Sequence, residues 1–158
     1  MVHVQEQARA LADGIEAALP GWVERSVERL LVAFRGTADA GVMAAARQAG
    51  ARAGADVGAR VRALLEADFD AQRTNPLSIV RAAVRYPTEV LRRAGVPPVD
   101  RDDFVTARFP DDAYDLTPAS FADLDPALAE LGFAWGAAKA WAHKQRHSGS
   151  AGRAGSPS

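Results

Sequence analysis

The 158 residues include no cysteine and carry a net charge of −1. That length suits one domain able to bury a sizeable core, and the lack of cysteine excludes disulfides, thiolate catalysis and cysteine-ligated zinc. Seventeen arginines against two lysines, beside 35 alanines, point to high-GC bacterial coding rather than to arginine-dependent function. The start of the chain has no basic segment ahead of an apolar one, and Glu6 and Asp13 interrupt it, so it does not read as a signal peptide. No apolar run approaches the roughly 18 residues of a membrane span. The expectation is a cytoplasmic protein with no membrane association and no cofactor.

Val4, Ala8, Leu11, Ile15 and Leu19 share one helical face and predict a helix over about 3–19, ended by Pro20 and Gly21. A second helix over 22–35 is expected to bury Val23, Val27, Leu30, Leu31 and Phe34, with Gly36 taking the left-handed position after it. The third and longest helix, about 38–67, has an apolar stripe of Val42, Ala46, Ala49, Ala53, Val57, Val61 and Leu64. Arg52, Asp56 and Arg60 are spaced for an i,i+4 ion-pair ladder on its other side, as are Arg62 and Glu66. Gly50, Gly54 and Gly58 recur every four residues beside the stripe. Each costs about 1 kcal/mol against alanine in a helix interior, so the three predict a ridge where another helix comes close, in the same chain or in a dimer.

A connection follows over 68–75. Asn75 and Pro76 then start a helix that Pro87 kinks or splits after Tyr86. Its end is specified by Gly95, with Val96 folding back on Leu91, and by Pro97 and Pro98. Short helix starts are expected at Asp100, with Val99 stapled to Phe104, at Thr117–Pro118, with Leu116 stapled to Phe121, and at Asp125–Pro126. The last helix, about 126–146, buries Leu128, Leu131, Trp135, Ala138 and Ala142, while Phe133, Ala137 and Trp141 form a neighbouring face that is either core or a partner surface. Gly132 is a possible break. No stretch alternates like a strand. The whole reads as an all-α single-domain bundle of about six helices over 1–147, with short helices and turns in 95–125 wrapped over it and a disordered small-residue tail over 148–158.

Charge is segregated along the chain: +3 over 74–99, −6 over 100–125 and +3 over 126–158. Blocks of this kind gain most by packing near one another. The acidic loop supplies a candidate interaction site, Phe109, Asp111, Asp112, Tyr114 and Asp115. Its aspartates read as a solvated connection held down by the two rings, and neither they nor His143 and His147 have a metal-binding pattern. His3 is read as incidental, and Ser26, Ser78 and Ser120 have no base partner in the sequence. Arg81, Arg85, Arg92 and Arg93 form a candidate basic patch able to follow phosphates, against which stand the isoelectric point near 6.3 and the acidic block beside it. The leading expectation is therefore a non-catalytic protein acting on a protein partner or on itself. Nucleic-acid association is the second reading, and a small-molecule enzyme the third.

Overall fold

A computed structural model describes the backbone of residues 4–67 and 75–155, with side chains as far as Gln145. The first helix, α1 (Val4–Arg35), runs unbroken through Pro20. The expected stop at Pro20–Gly21 is thus a continuous helix, and the reason is tertiary. Proline removes one backbone donor and crowds the carbonyl four residues earlier, at a cost of about 3 kcal/mol. The buried stripe of α1 crosses that point without interruption, from Ile15 and Leu19 to Trp22, Val23 and Val27, and burial of each such side chain returns roughly 1.5–3 kcal/mol. Phe34, expected in the core, instead lies 49% exposed at the end of the helix. Gly36 takes the left-handed conformation, with φ +81°, and Asp39 caps the next helix by accepting the backbone N–H groups of Gly41 and Val42.

The second helix, α2 (Ala40–Ala67), is continuous and makes its most extensive contact with α1. Its three spaced glycines face that contact. A Cβ at Gly50 would lie 2.8 Å from the carbonyl oxygen of Pro20 and 3.0 Å from its Cα. At Gly54 it would lie 3.2 Å from the proline ring and 3.3 Å from the carbonyl oxygen of Glu16, and at Gly58 2.9 Å from the Glu16 side chain. Proline 20 deprives that Glu16 carbonyl of its helical donor. The proline inside α1 and the glycines inside α2 are therefore two sides of one close approach within the chain. Leu65, not Leu64, completes the buried stripe. Polar side chains expected to pair along α2 reach other helices. Arg62 donates to Asp13 and Glu16 of α1, and Asp56 accepts the hydroxyl of Tyr86 at 2.9 Å.

The connection expected over 68–75 lies, apart from Asn75, outside the described residues. The next helical run consists of α3 (Leu77–Val80), a 3₁₀ segment (Arg81–Val84) and α4 (Arg85–Arg93). The tightening to 3₁₀ falls in the turn before Pro87, where the proline ring crowds the Ala83 carbonyl, so the distortion precedes Tyr86. The run ends as its sequence predicts. Gly95 has φ +79°, its N–H donates to Arg92, and the N–H of Val96 donates to Leu91. This pair of bonds is the Schellman motif, and both Leu91 and Val96 are buried.

Two short helices, α5 (Asp103–Arg108) and α6 (Phe121–Leu124), precede the long α7 (Leu128–Gly155). Asp102, not Asp100, caps α5 through the Phe104 N–H. The expected staple does not form, since Val99 and Phe104 are 48% and 71% exposed. Ser120, not Thr117, precedes α6, and the Asp123 carboxylate accepts the N–H groups of Ala119 and Ser120. Asp125 receives the Ala127 N–H ahead of α7. Gly132 does not break α7. The ring of Phe121 lies against it, in space that a Cβ would fill. Counting residues 77–93 as one body, the described residues form six helical bodies and no strand, with α1 at the centre against α2, α4, α6 and α7. Of the tail expected to be disordered over 148–158, the backbone of 148–155 instead continues α7, past the expected end near 146, and 156–158 lie outside the described residues.

Candidate interaction surface

Three features singled out by sequence meet on one side of the molecule: the acidic loop, the arginine-bearing helix and the Gly95 turn. After Pro98 the chain passes through α5 and returns alongside itself, the Val99 N–H donating to the Ala113 carbonyl at 2.9 Å. Asp112 closes this loop. Its carboxylate accepts the backbone N–H of Leu116 at 2.6 Å and that of Thr117 at 2.7 Å, and also the Thr117 hydroxyl. Arg101 stands 3.7 Å from the same carboxylate and donates to the Asp112 main-chain carbonyl. The Asp112 side chain is 0% exposed and that of Arg101 9%. Inside the turn Asp115 adopts φ +60°, which aspartate tolerates better than most residues.

The acidic loop is therefore not uniformly solvated, and this corrects the sequence expectation. Asp112 is a buried tie, whereas Asp111 and Asp115 are exposed. Thr117 is not free to cap a helix because Asp112 holds its N–H and its hydroxyl. Of the two rings, Tyr114 is the firmer anchor. It is 3% exposed and donates its hydroxyl to the Val96 carbonyl at 2.6 Å, which fastens the loop to the Gly95 turn. Burial pushes the Tyr114 phenol pKa up, against a smaller opposing effect of Arg92. Phe109 is half-buried under the Arg108 guanidinium, 5.2 Å from the ring centre.

The basic patch lies beside this loop. Arg81 shares a hollow with Phe109, Asp111 and Asp112, and Arg85, Arg92 and Arg93 share another with Asp111. Arg85 bonds the Tyr86 hydroxyl at 3.1 Å, and that bond, with Asp56 and Asp111 adding to it, raises its pKa. Arg93 pairs with Glu89 at 2.7 Å. The +3 and −6 blocks are thus neighbours in space. The candidate ridge of Gly50, Gly54 and Gly58 is buried against α1 of the same chain.

Two further hollows are open to solvent. One, of about 520 Å³, lies between α1 and the 115–123 segment and is lined by Trp22, Arg25, Arg29, Asp115 and Asp123. Arg25 is partly committed there, donating to the Leu124 carbonyl at 2.6 Å. The other, of about 300 Å³, separates the start of α2 from the end of α4. Among the described residues no three histidine or carboxylate side chains converge on a metal-sized site. His143 is half-buried, and His3 and the His147 side chain are outside what is described.

The outer face of α7 differs from all of these. Leu128, Trp135 and Ala138 are buried against the bundle. On the opposite side Phe133 is 80% exposed and Trp141 44%. At about 100° per residue, Ala134, Ala137 and Ala140 fall between and beside the two rings, all within about 60° of Ala137. Ala137 and Ala140 are exposed and Ala134 half-buried. A Cβ at Gly136, at the edge of this face, would meet nothing within 4 Å. No helix among the described residues is long and apolar enough to cross a membrane. Comparison with protein-family models, curated proteins and solved structures returns no match.

Proposed function

We propose that this chain is a non-catalytic helical protein that acts through protein–protein contact, and that the outer face of α7 is its contact surface. One observation carries the reading: two large aromatics, Phe133 and Trp141, stand exposed around small side chains on one face of a helix whose other face is core. Scattered exposed apolar residues are ordinary, but a contiguous apolar face with aromatic anchors is what protein interfaces use. Burial of such a face is worth about 25 cal/mol per Å² removed from water. The acidic loop supports the reading less, because Asp112 and Tyr114 are spent on closing and anchoring it. The arginine helix offers less to a polyanion than its sequence suggests, because Arg85 and Arg93 already have partners within the chain.

The test is capture from a lysate of the native host on the tagged chain, compared with capture on Phe133→Asp. Matched melting curves would establish that both are folded. The expected result is that proteins retained by the wild type, including an untagged copy of the chain, are lost from the variant. Identical retained sets would show that this face does not mediate contact.

A further inference from the structure

The outer face of α7 is symmetric about Ala137. Phe133 lies four residues before it and Trp141 four after, and Glu130 lies seven before and Lys144 seven after. All four are exposed, and on a helix they fall within about 40° of Ala137. Ala134 and Ala140 add a third symmetric pair at the margins. Each aromatic thus has an aromatic as its mirror position, each small residue a small one, and the acid has a base.

We propose that this face binds the same face of a second copy of the chain, with the two α7 helices antiparallel and Ala137 at the twofold axis. The inference rests on the reading of α7 as a contact surface and names its occupant. In an isologous pair, if residue i meets residue j, then j meets i. Antiparallel packing about Ala137 sets Phe133 against Trp141 twice and Glu130 against Lys144 twice. Alanine at the axis lets the helices approach to about 8–10 Å, with the aromatics filling the space on either side. Parallel packing would oppose Glu130 to Glu130 and Lys144 to Lys144. A partner of unrelated sequence would give no reason for the mirror spacing. The face is about 21 Å long from Glu130 to Lys144 at 1.5 Å per residue. Two such faces bury less than the roughly 1,200 Å² of standard interfaces, which places the pair among weak, concentration-dependent dimers.

Sedimentation equilibrium of the full chain tests this, from a few micromolar to several hundred. The wild type is expected to pass from monomer to dimer mass across that range. Glu130→Lys and Lys144→Glu each set like charges opposite one another at both ends of the interface, and each should weaken dimerisation about tenfold. The double variant Glu130→Lys with Lys144→Glu restores both pairs with the charges exchanged, and its dissociation constant should return to within about threefold of wild type. Ala137→Glu places two carboxylates at the axis and should leave monomer throughout. All four variants alter exposed positions, and circular dichroism checks that they fold. A wild type that stays monomeric to several hundred micromolar overturns the proposal, and in that case loss of capture by Phe133→Asp would still uphold the contact surface with a different occupant. A dimer whose affinity is unmoved by the single charge changes, or is not restored by the double change, overturns the antiparallel register and with it the proposal.

Discussion

Gly50→Ala adds one methyl group where α2 crosses Pro20, and its effect can be worked from the geometry. The new Cβ would sit 2.8 Å from the Pro20 carbonyl oxygen and 3.0 Å from its Cα. Both are backbone atoms in the middle of a helix, so neither can rotate away. Overpacking of this kind costs about 1–3 kcal/mol, offset by about 1 kcal/mol of improved helix propensity. The expected net loss is up to about 2 kcal/mol. For a chain of this size that lowers the melting temperature by up to about 8 °C. The neighbouring glycines provide the gradient. Gly54→Ala meets its nearest atoms at 3.2–3.4 Å and should be near neutral, while Gly58→Ala meets the root of the Glu16 side chain, Cγ at 2.9 Å and Cβ at 3.1 Å, and should be somewhat destabilising. Gly136→Ala meets nothing and should gain up to about 1 kcal/mol. Thermal melts followed at 222 nm, at micromolar concentration, give the order Gly136→Ala, Gly54→Ala, Gly58→Ala, Gly50→Ala from most to least stable. A Gly50→Ala protein that melts at or above Gly136→Ala would refute the close contact between the glycine ridge and Pro20.

The two adjacent aspartates of the loop should behave oppositely. Asp112→Asn turns an NH₂ toward N–H donors and leaves Arg101 without its charge partner, and urea titration should show a loss of about 3 kcal/mol. Asp111→Asn should change stability by less than about 0.5 kcal/mol, and equal effects would mean that Asp112 is not the tie. Tyr114→Phe removes the hydrogen bond to Val96 and should cost about 1 kcal/mol. In the wild type the Tyr114 phenol is neutral in the fold to higher pH than in the unfolded chain. Its contribution is therefore whole below the ordinary tyrosine pKa of about 10 and is lost as pH rises through the folded value. Ultraviolet titration should show a late phenol step that is lost in Tyr114→Phe, and a late amplitude unchanged from wild type in that variant would contradict the burial.

What was legible in the sequence is what local chemistry decides. The Gly95 turn, the left-handed Gly36, the start at Asp125 and the helical periodicities all depend on neighbours within a few residues, and the structure has them. Pro20 misled for the complementary reason. A proline is a local stop signal, and the burial that overrides it comes from α2, whose glycines were visible as a ridge but whose partner was not. Asp112 was indistinguishable from Asp111 in sequence. Only the closing of the loop brings Arg101, Leu116 and Thr117 around one carboxylate and leaves the other in solvent. The staples at Val99–Phe104 and Leu116–Phe121 relied on caps at Asp100 and Thr117, and the first failed because the helix begins two residues later. For α7 the spacing of Phe133, Ala137 and Trp141 was plain, but a wide apolar arc reads the same for a central helix as for one with a free face. The placement of α1 and α6 on one side only separates the two.

A single engineered cysteine gives the most direct measurement, because the chain has none of its own. Ala137→Cys puts one thiol at the centre of the α7 face, and at the proposed axis the two thiols of a dimer lie within disulfide reach, with Cα atoms about 4.4–6.8 Å apart for an unstrained bond. Glu130→Cys puts its thiol at one end of the face, about 21 Å along two antiparallel helices from its counterpart. Under mild oxidation at about 100 µM protein, followed by non-reducing electrophoresis, Ala137→Cys is predicted to convert to covalent dimer at least tenfold faster than Glu130→Cys. Equal rates for the two variants, or no dimer from Ala137→Cys, would contradict the central role given to this face.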